Sequence, residues 1–487
     1  MTKSKCTICP QLVSLFIFFF MTTVSFALDI SGNHKFTSNL NLLESWIGAQ
    51  MEYRRLPGLA IGIVYDGDLI YGKGFGYADL EKQTPMTTGS IFRIASITKT
   101  FTATAIMQLR DRGKLSLDDP VEKHLKWFKM KNNDPDSPTI RIWHLLTHTS
   151  GLPRESAFPY WTDYRFPSRR QMIEALADQE TIYPPEEKLK YSNLALAIAG
   201  EIVSRVSGMP YDKYISEYIL KPLGMSSTFV LSEDIDRTRL VTPYSQILPD
   251  GGRRIRPFTD CRGLSPAANM SSTVEDLAKF VSAQFGSGSN KVWTVLKSSS
   301  LREMQRVHWL RPNWKGGWGI GFSVWRENDL TLVGHGGWVA GNRSQIVFIP
   351  EKKIGVIVLA NSDDGEPYFF AKKILGLMTP IIDEIVSPHE IPPPVAEELE
   401  RYVGRFTDTW FYDTEFMIVD GGLVMNGYGV PPEENPGDAL IELSPVSEHV
   451  FRMTGDNGDG ELVTFIFNRT GEIDSVKVGE NYLYPKR

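Results

Sequence analysis

Phe92-Arg93-Ile94-Ala95-Ser96-Ile97-Thr98-Lys99 sets a serine at the mouth of a helix and a lysine three residues further on. Positions i and i+3 share one face of an α-helix, so the Ser96 hydroxyl and the Lys99 amine come within hydrogen-bond reach. The helix continues from Thr100 to Arg112, with Ala103, Ile106, Met107 and Leu109 roughly in phase and Gly113 as its C-cap. A hydroxyl at a helix N-terminus feels the positive end of the macrodipole and lies near free N–H groups that can hold a developing oxyanion. Ser96 is therefore a candidate nucleophile. Ser-x-x-Lys also arises by chance in chains of this length, so the spacing needs support from the rest of the sequence.

Upstream, Leu59 to Val64 and Leu69 to Tyr71 flank Asp66-Gly67-Asp68 and predict two strands joined by a turn. Downstream, helices dominate the middle of the chain. Ser168 with Gln171 forms a capping box, Ser272 with Glu275 is expected to cap another helix, and Tyr191-Ser192-Asn193 precedes the apolar helical run Leu194 to Val206, which ends at Gly208. His144 and His148 stand four apart, a spacing open to metal ligation or to packing. No carboxylate lies between them as a metalloprotease helix requires, so packing is expected. Gly316 to Gly321 lacks the strand and spacing of a phosphate loop and predicts tight packing or a bulge.

Leu330 to Trp338 reads as a strand whose middle, His335-Gly336-Gly337, is nearly bare, as where something approaches the backbone closely. Ser344 to Phe348 and Ile354 to Leu359 form a further hairpin, and an apolar helix follows around Phe369 to Met378. Two early strands and three late ones predict an α+β domain with an antiparallel five-stranded sheet, flanked by helices, plus a helical subdomain. Pro388 to Pro394 is the clearest linker. Beyond it, period-2 runs such as Val463, Phe465 and Phe467 alternate with turns, and predict a small all-β barrel or sandwich over 395–487.

Lys3 and Lys5, the apolar run Leu12 to Phe20 and the small-x-small close Ser25-Phe26-Ala27 predict a signal peptide over 1–27, with an uncleaved anchor as the alternative. The protein is then expected to be secreted or periplasmic, and to meet a membrane only through such an anchor. Of the 3 cysteines, Cys6 and Cys9 fall in that segment and Cys261 remains, so no intrachain disulfide is expected after cleavage. A chain of 487 residues that is 42% hydrophobic can bury a sufficient core without one. The formal net charge of −6 argues against a nucleic-acid partner.

Three elements stand in order: Ser96-x-x-Lys99, Tyr191-x-Asn193 and His335-Gly336-Gly337. Together they resemble the serine β-lactamase and penicillin-binding protein superfamily, in the branch of class C β-lactamases, D,D-carboxypeptidases, D-aminopeptidases and related esterases, over about Leu40 to Met378. The resemblance implies a β-lactamase/transpeptidase-like domain over 28–387 and a lipocalin-like domain after the linker. It implies that Ser96 forms an acyl-enzyme with Lys99 keeping it activated, and that Tyr191 takes the Ser96 proton and passes it to the leaving group. Asn193 would hold the acyl side, with His335, Gly336 and Gly337 along the substrate, and the backbone N–H groups of Ser96 and Trp338 would form the oxyanion hole. No cofactor or metal is implied. Members acting on penicillins or C-terminal D-alanine often carry lysine at the position of His335, so the weight moves to D-residue peptides or small esters, with peptide or small-molecule substrates as the partners. A β-lactamase, or a penicillin-binding sensor that acylates without efficient turnover, is the alternative. Arg343 is a further candidate for receiving a carboxylate, weighed against a solvated surface charge.

Overall fold

The computed structural model describes residues 30–132, 134–286, 295–327, 329–386, 396–410, 413–419, 422–427, 440–455 and 458–486. The expected signal segment and the proline-rich linker lie outside the described residues. The chain divides into two compact units, Met1–Val386 and Ser387–Arg487.

The strands of the first unit are β1 (Gly58–Tyr65), β2 (Asp68–Asp79), β3 (Thr84–Pro85), β4 (Phe92–Arg93), β5 (Ser271–Ser272), β6 (Trp309–Leu310), β7 (Gly316–Trp318), β8 (Ser323–Glu327), β9 (Leu330–Val339), β10 (Asn342–Ile349) and β11 (Ile354–Ala360). Nine of them form one antiparallel sheet in the order β3-β2-β1-β11-β10-β9-β8-β7-β6, while β4 and β5 pair separately. The five expected strands are its centre, β2, β1, β11, β10 and β9. The sheet is larger than expected because β3 and β6 to β8 extend its edges, and these short segments carry too few residues for a period-2 signal. Gly316 to Trp318 is one of them, and it is also tightly packed: a Cβ on Gly317 would meet the Trp309 carbonyl oxygen at 2.2 Å.

Both faces of the central strands are covered, which is why β1 reads as continuously apolar. Leu59, Ile61 and Ile63 face one core with the helices His34–Arg54 and Pro367–Val386. Ala60 and Val64 face the other, which contains the helices Thr98–Asp111, Asn193–Ser207 and Val274–Ala283. Gly113 ends the helix Thr98–Asp111 with φ of 67°, its N–H donating to Arg110 O. One cap differs from expectation: the helix Val274–Ala283 is capped by Thr273, whose side chain accepts from Asp276 N, while the Ser272 hydroxyl is 2.8 Å from Thr228 Oγ1 inside the strand pair.

The second unit is a closed barrel of β12 (Gly404–Thr407), β13 (Asp413–Val419), β14 (Gly422–Gly427), β15 (Leu440–Ser447), β16 (Val450–Thr454), β17 (Leu462–Phe467), β18 (Ile473–Val478) and β19 (Asn481–Pro485), each paired with its sequence neighbour and β12 with β19. Closure removes the free edges. Tyr402, Phe416, Phe451 and Phe465 fill its interior. Since each unit carries its own apolar core, a chain ending at Val386 is expected to be soluble, to melt cooperatively by circular dichroism, and to react with a small acylating probe. Insolubility of that chain would show that the first core needs the second unit.

Candidate active site

The turn Ala95–Ile97 leads into the helix Thr98–Asp111 and carries Ser96 half-buried at the wall of a cleft of about 950 Å³. Ala95, fully buried, is left-handed with φ of 48°, a conformation costly for a residue with a Cβ and typical of turns that hold a reacting group. The turn is locked by the Ser344 hydroxyl, which donates to Ile94 O at 2.8 Å. Gly337 of β9 lies directly against it: a Cβ there would stand 2.2 Å from Ile94 O and 2.3 Å from Ser344 Oγ. The bare strand middle thus serves first to bring β9 onto the Ser96 turn. Beyond Gly334, β8 no longer pairs with β9, so His335–Val339 is bonded only on its β10 side and the opposite edge borders the cleft.

Lys99 is fully buried, with Nζ 2.9 Å from Ser96 Oγ and 2.7 Å from the Ala267 carbonyl oxygen. Burial pulls its pKa down to about 7; Glu155 works against the shift and Arg154 with it. The Tyr191 hydroxyl hydrogen-bonds Ser96, and the Tyr191 ring lies 5.0 Å from Lys99 Nζ. Burial raises the Tyr191 pKa, the bond to Ser96 and the Arg154 charge opposing it only in part. At neutral pH the site therefore holds a phenol and an amine that is partly unprotonated.

The sequence motifs converge as follows. Ser192 caps the helix Asn193–Ser207, accepting from Ala195 N, and this sets Tyr191 and Asn193 on either side of the cap. Asn193 is buried, and its Nδ2 donates to Glu155 Oε1 at 2.7 Å. His335 is buried with Nδ1 2.6 Å from Gly336 O, which fixes the proton on that nitrogen. Burial first, then the Lys99 charge, lowers its pKa to about 3. Position 335 therefore brings neither charge nor a free N–H to the cleft. Gly336 and Gly337 line the cleft. The half-exposed Trp338 side chain is tied away from the oxyanion position, its Nε1 donating to Asp363 Oδ1 at 2.9 Å and its ring stacking on Trp161 at 5.6 Å. Arg343 is tethered rather than freely solvated: Nε donates to Asp363 O at 2.8 Å, and the guanidinium lies 5.8 Å from the Trp338 ring centre.

Four residues of the site were not assigned to it from the sequence. His148 is the left-handed C-cap of the helix Ile142–Thr147 and so does not share a face with His144, which instead contacts Glu186 at 2.9 Å. The His148 carbonyl accepts from Lys190 N and its Nδ1 from Ser192 N, so it brackets Tyr191 on both sides, with the rings 4.2 Å apart. Trp318 closes the same aromatic cluster, 5.7 Å from Tyr191 and 5.6 Å from His335. Arg154 and Glu155 complete it. Among the described residues, no group of three or more His, Cys, Asp or Glu side chains is arranged to hold a metal ion.

The chain is similar in sequence and fold to several known proteins. A family model described as Beta-lactamase matches residues 43–377. Beta-lactamase-like protein 2 of Dictyostelium discoideum is 28% identical over 458 residues, covering 86% of this chain and 82% of that one. The structure of the octameric penicillin-binding protein homologue from Pyrococcus abyssi matches with a TM-score of 0.62 at 28% identity, covering 91% of this chain and 99% of that one. The Beta-lactamase/D-alanine carboxypeptidase from Yersinia pestis, complexed with citrate, matches with a TM-score of 0.58 at 25% identity over 70% of this chain and 99% of that one.

Proposed function

The chain belongs to the Beta-lactamase family, and we propose that it is an exported serine hydrolase that cleaves amide or ester bonds through an acyl-enzyme on Ser96. The observation that carries this reading is the buried Lys99 amine, 2.9 Å from Ser96 Oγ with its pKa pulled down to about 7. Neutral Lys99 takes the Ser96 proton as Oγ attacks the carbonyl carbon. The oxyanion forms between the backbone N–H groups of Ser96 and Trp338. Tyr191, kept a phenol by burial, gives its proton to the leaving amine or alkoxide and regains one from the Lys99 ammonium. This order departs from the resemblance, which would send the Ser96 proton to Tyr191 first; the raised Tyr191 pKa and the lowered Lys99 pKa favour lysine as the base. Water then attacks the ester carbonyl, and the same two groups move the protons back.

A neutral His335 supports D-residue peptides with a free N-terminus, or small esters, over substrates that need a cation for a C-terminal carboxylate. Export rests on the sequence of residues 1–27 alone.

The test is steady-state turnover of small esters and D-amino acid amides across pH. kcat/KM is expected to rise through about pH 7 as Lys99 loses its proton, because the unprotonated amine is the active form. No limb from His335 is expected between pH 5 and 8, since burial lowers it to about 3, and burial likewise holds His148 well below its ordinary value. One acylation per chain with no further turnover would identify a sensor instead.

A further inference from the structure

We propose that the acyl-side pocket selects substrates whose α-substituent donates a hydrogen bond, an amino or hydroxyl group, and that Glu155 is the positioning residue that sets this preference by fixing which end of the Asn193 amide faces the substrate. The inference rests on the serine hydrolase reading and specifies its substrate class.

Asn193 lines the cleft and is 4% exposed. An amide side chain has a donating end and an accepting end, and its neighbours decide which is spent. Here the neighbour is a carboxylate: Asn193 Nδ2 donates to Glu155 Oε1 at 2.7 Å, and a carboxylate only accepts, so the amide cannot turn round. Asn193 Oδ1 is left buried without a partner. A buried acceptor in that state is costly to the protein, and a ligand donor relieves it. Glu155 is itself held on both oxygens, Oε1 by Arg154 Nε at 3.2 Å and Oε2 by the Tyr160 hydroxyl. Its grip on Asn193 is therefore set by the loop that follows Pro153.

The other wall has the same polarity. His335 spends its N–H on Gly336 O, and its Nε2 is buried and unpaired, a second bare acceptor. An unpaired buried donor of the cleft, Trp318 Nε1, belongs to β7 and not to the Asn193 wall. The Arg154 guanidinium lies 5.2 Å from the Tyr191 ring centre, and Glu155 is its counter-charge.

The experiment measures kcat/KM of the full chain for the ethyl esters of alanine, lactic acid, 2-methoxypropanoic acid and propanoic acid, each chiral ester as both enantiomers. Alanine and lactate separate an amino from a hydroxyl donor, the methoxy ester can only accept, and propanoate controls for size. Wild-type protein is expected to prefer the better of the two donor esters over the methoxy ester by about tenfold, the effect of one satisfied against one unsatisfied buried acceptor. Glu155→Gln offers Asn193 an N–H and lets its amide turn round, so that ratio should fall about tenfold toward unity. An equal or reversed wild-type ratio overturns the inference whether or not the variant folds, and leaves the hydrolase reading standing. A variant that slows all four esters alike, with ratios unchanged, overturns the role of Glu155. Absence of both turnover and Ser96 labelling by a fluorophosphonate overturns the hydrolase reading, and the inference with it.

Discussion

Ser96→Ala is expected to lose all covalent labelling by a fluorophosphonate, with mass mapping of the wild-type protein placing the label on the peptide that contains Ser96, and to lose hydrolysis by roughly 10⁴- to 10⁶-fold. The effect is large because the site converges on this one oxygen. Lys99 Nζ is 2.9 Å from its oxygen, the Tyr191 hydroxyl bonds to it, and β9 lies against the turn that holds it. The substitution removes one atom at a half-buried position, so the melting temperature should move little. Labelling of the variant at another residue would move the nucleophile elsewhere.

Lys99→Met should lower turnover by roughly 10²- to 10⁴-fold, the usual worth of a positioned general base, and should at the same time stabilise the fold near neutral pH. Lys99 is fully buried, and its pKa in the folded protein is about 7 against an ordinary value of 10.5. Between those values the unfolded chain holds a proton that the folded one does not, so wild-type stability rises with pH across that window and is lowest below it. Each pH step there is worth about 1.4 kcal/mol, which bounds the whole effect at roughly 5 kcal/mol. Methionine keeps the volume without the charge, but leaves Ala267 O without its 2.7 Å donor, which returns about 1 kcal/mol. Urea unfolding should therefore show the variant ahead of wild type at pH 6 by a margin that shrinks toward pH 10. A variant less stable than wild type at pH 6 would mean that the hydrogen bonds of Lys99 outweigh the cost of burying its charge. The pair of effects illustrates a site whose reactivity is maintained against stability.

The site was legible where its chemistry is local. Ser96 and Lys99 share a helix face because they are three apart, and Tyr191 and Asn193 flank a helix cap, so short motifs report them. Gly337 could be read as a close approach, because a strand gives up side chains only under constraint. His148, Arg154, Glu155 and Trp318 were not legible. The bond from Asn193 to Glu155 spans 38 residues of sequence and that from Ser192 to His148 spans 44, and neither element has a periodicity that announces the other. The short edge strands β6 to β8 escaped for a related reason: two to five residues fix no alternation.

The sequence by itself determined the two-sided burial of the central strands, the order of the three motifs and the β character of the C-terminal segment, because these follow from side-chain periodicity and from spacings within one turn or strand. Tertiary structure alone decided the protonation states and the polarity of the pocket. The Lys99 pKa is lowered by enclosure within a folded core, His335 is neutral for the same reason, and Asn193 presents oxygen to the cleft because a distant carboxylate occupies its nitrogen. Burial and long-range hydrogen bonding exist only once the chain is packed, and they determine which proton moves and which substrate group is received.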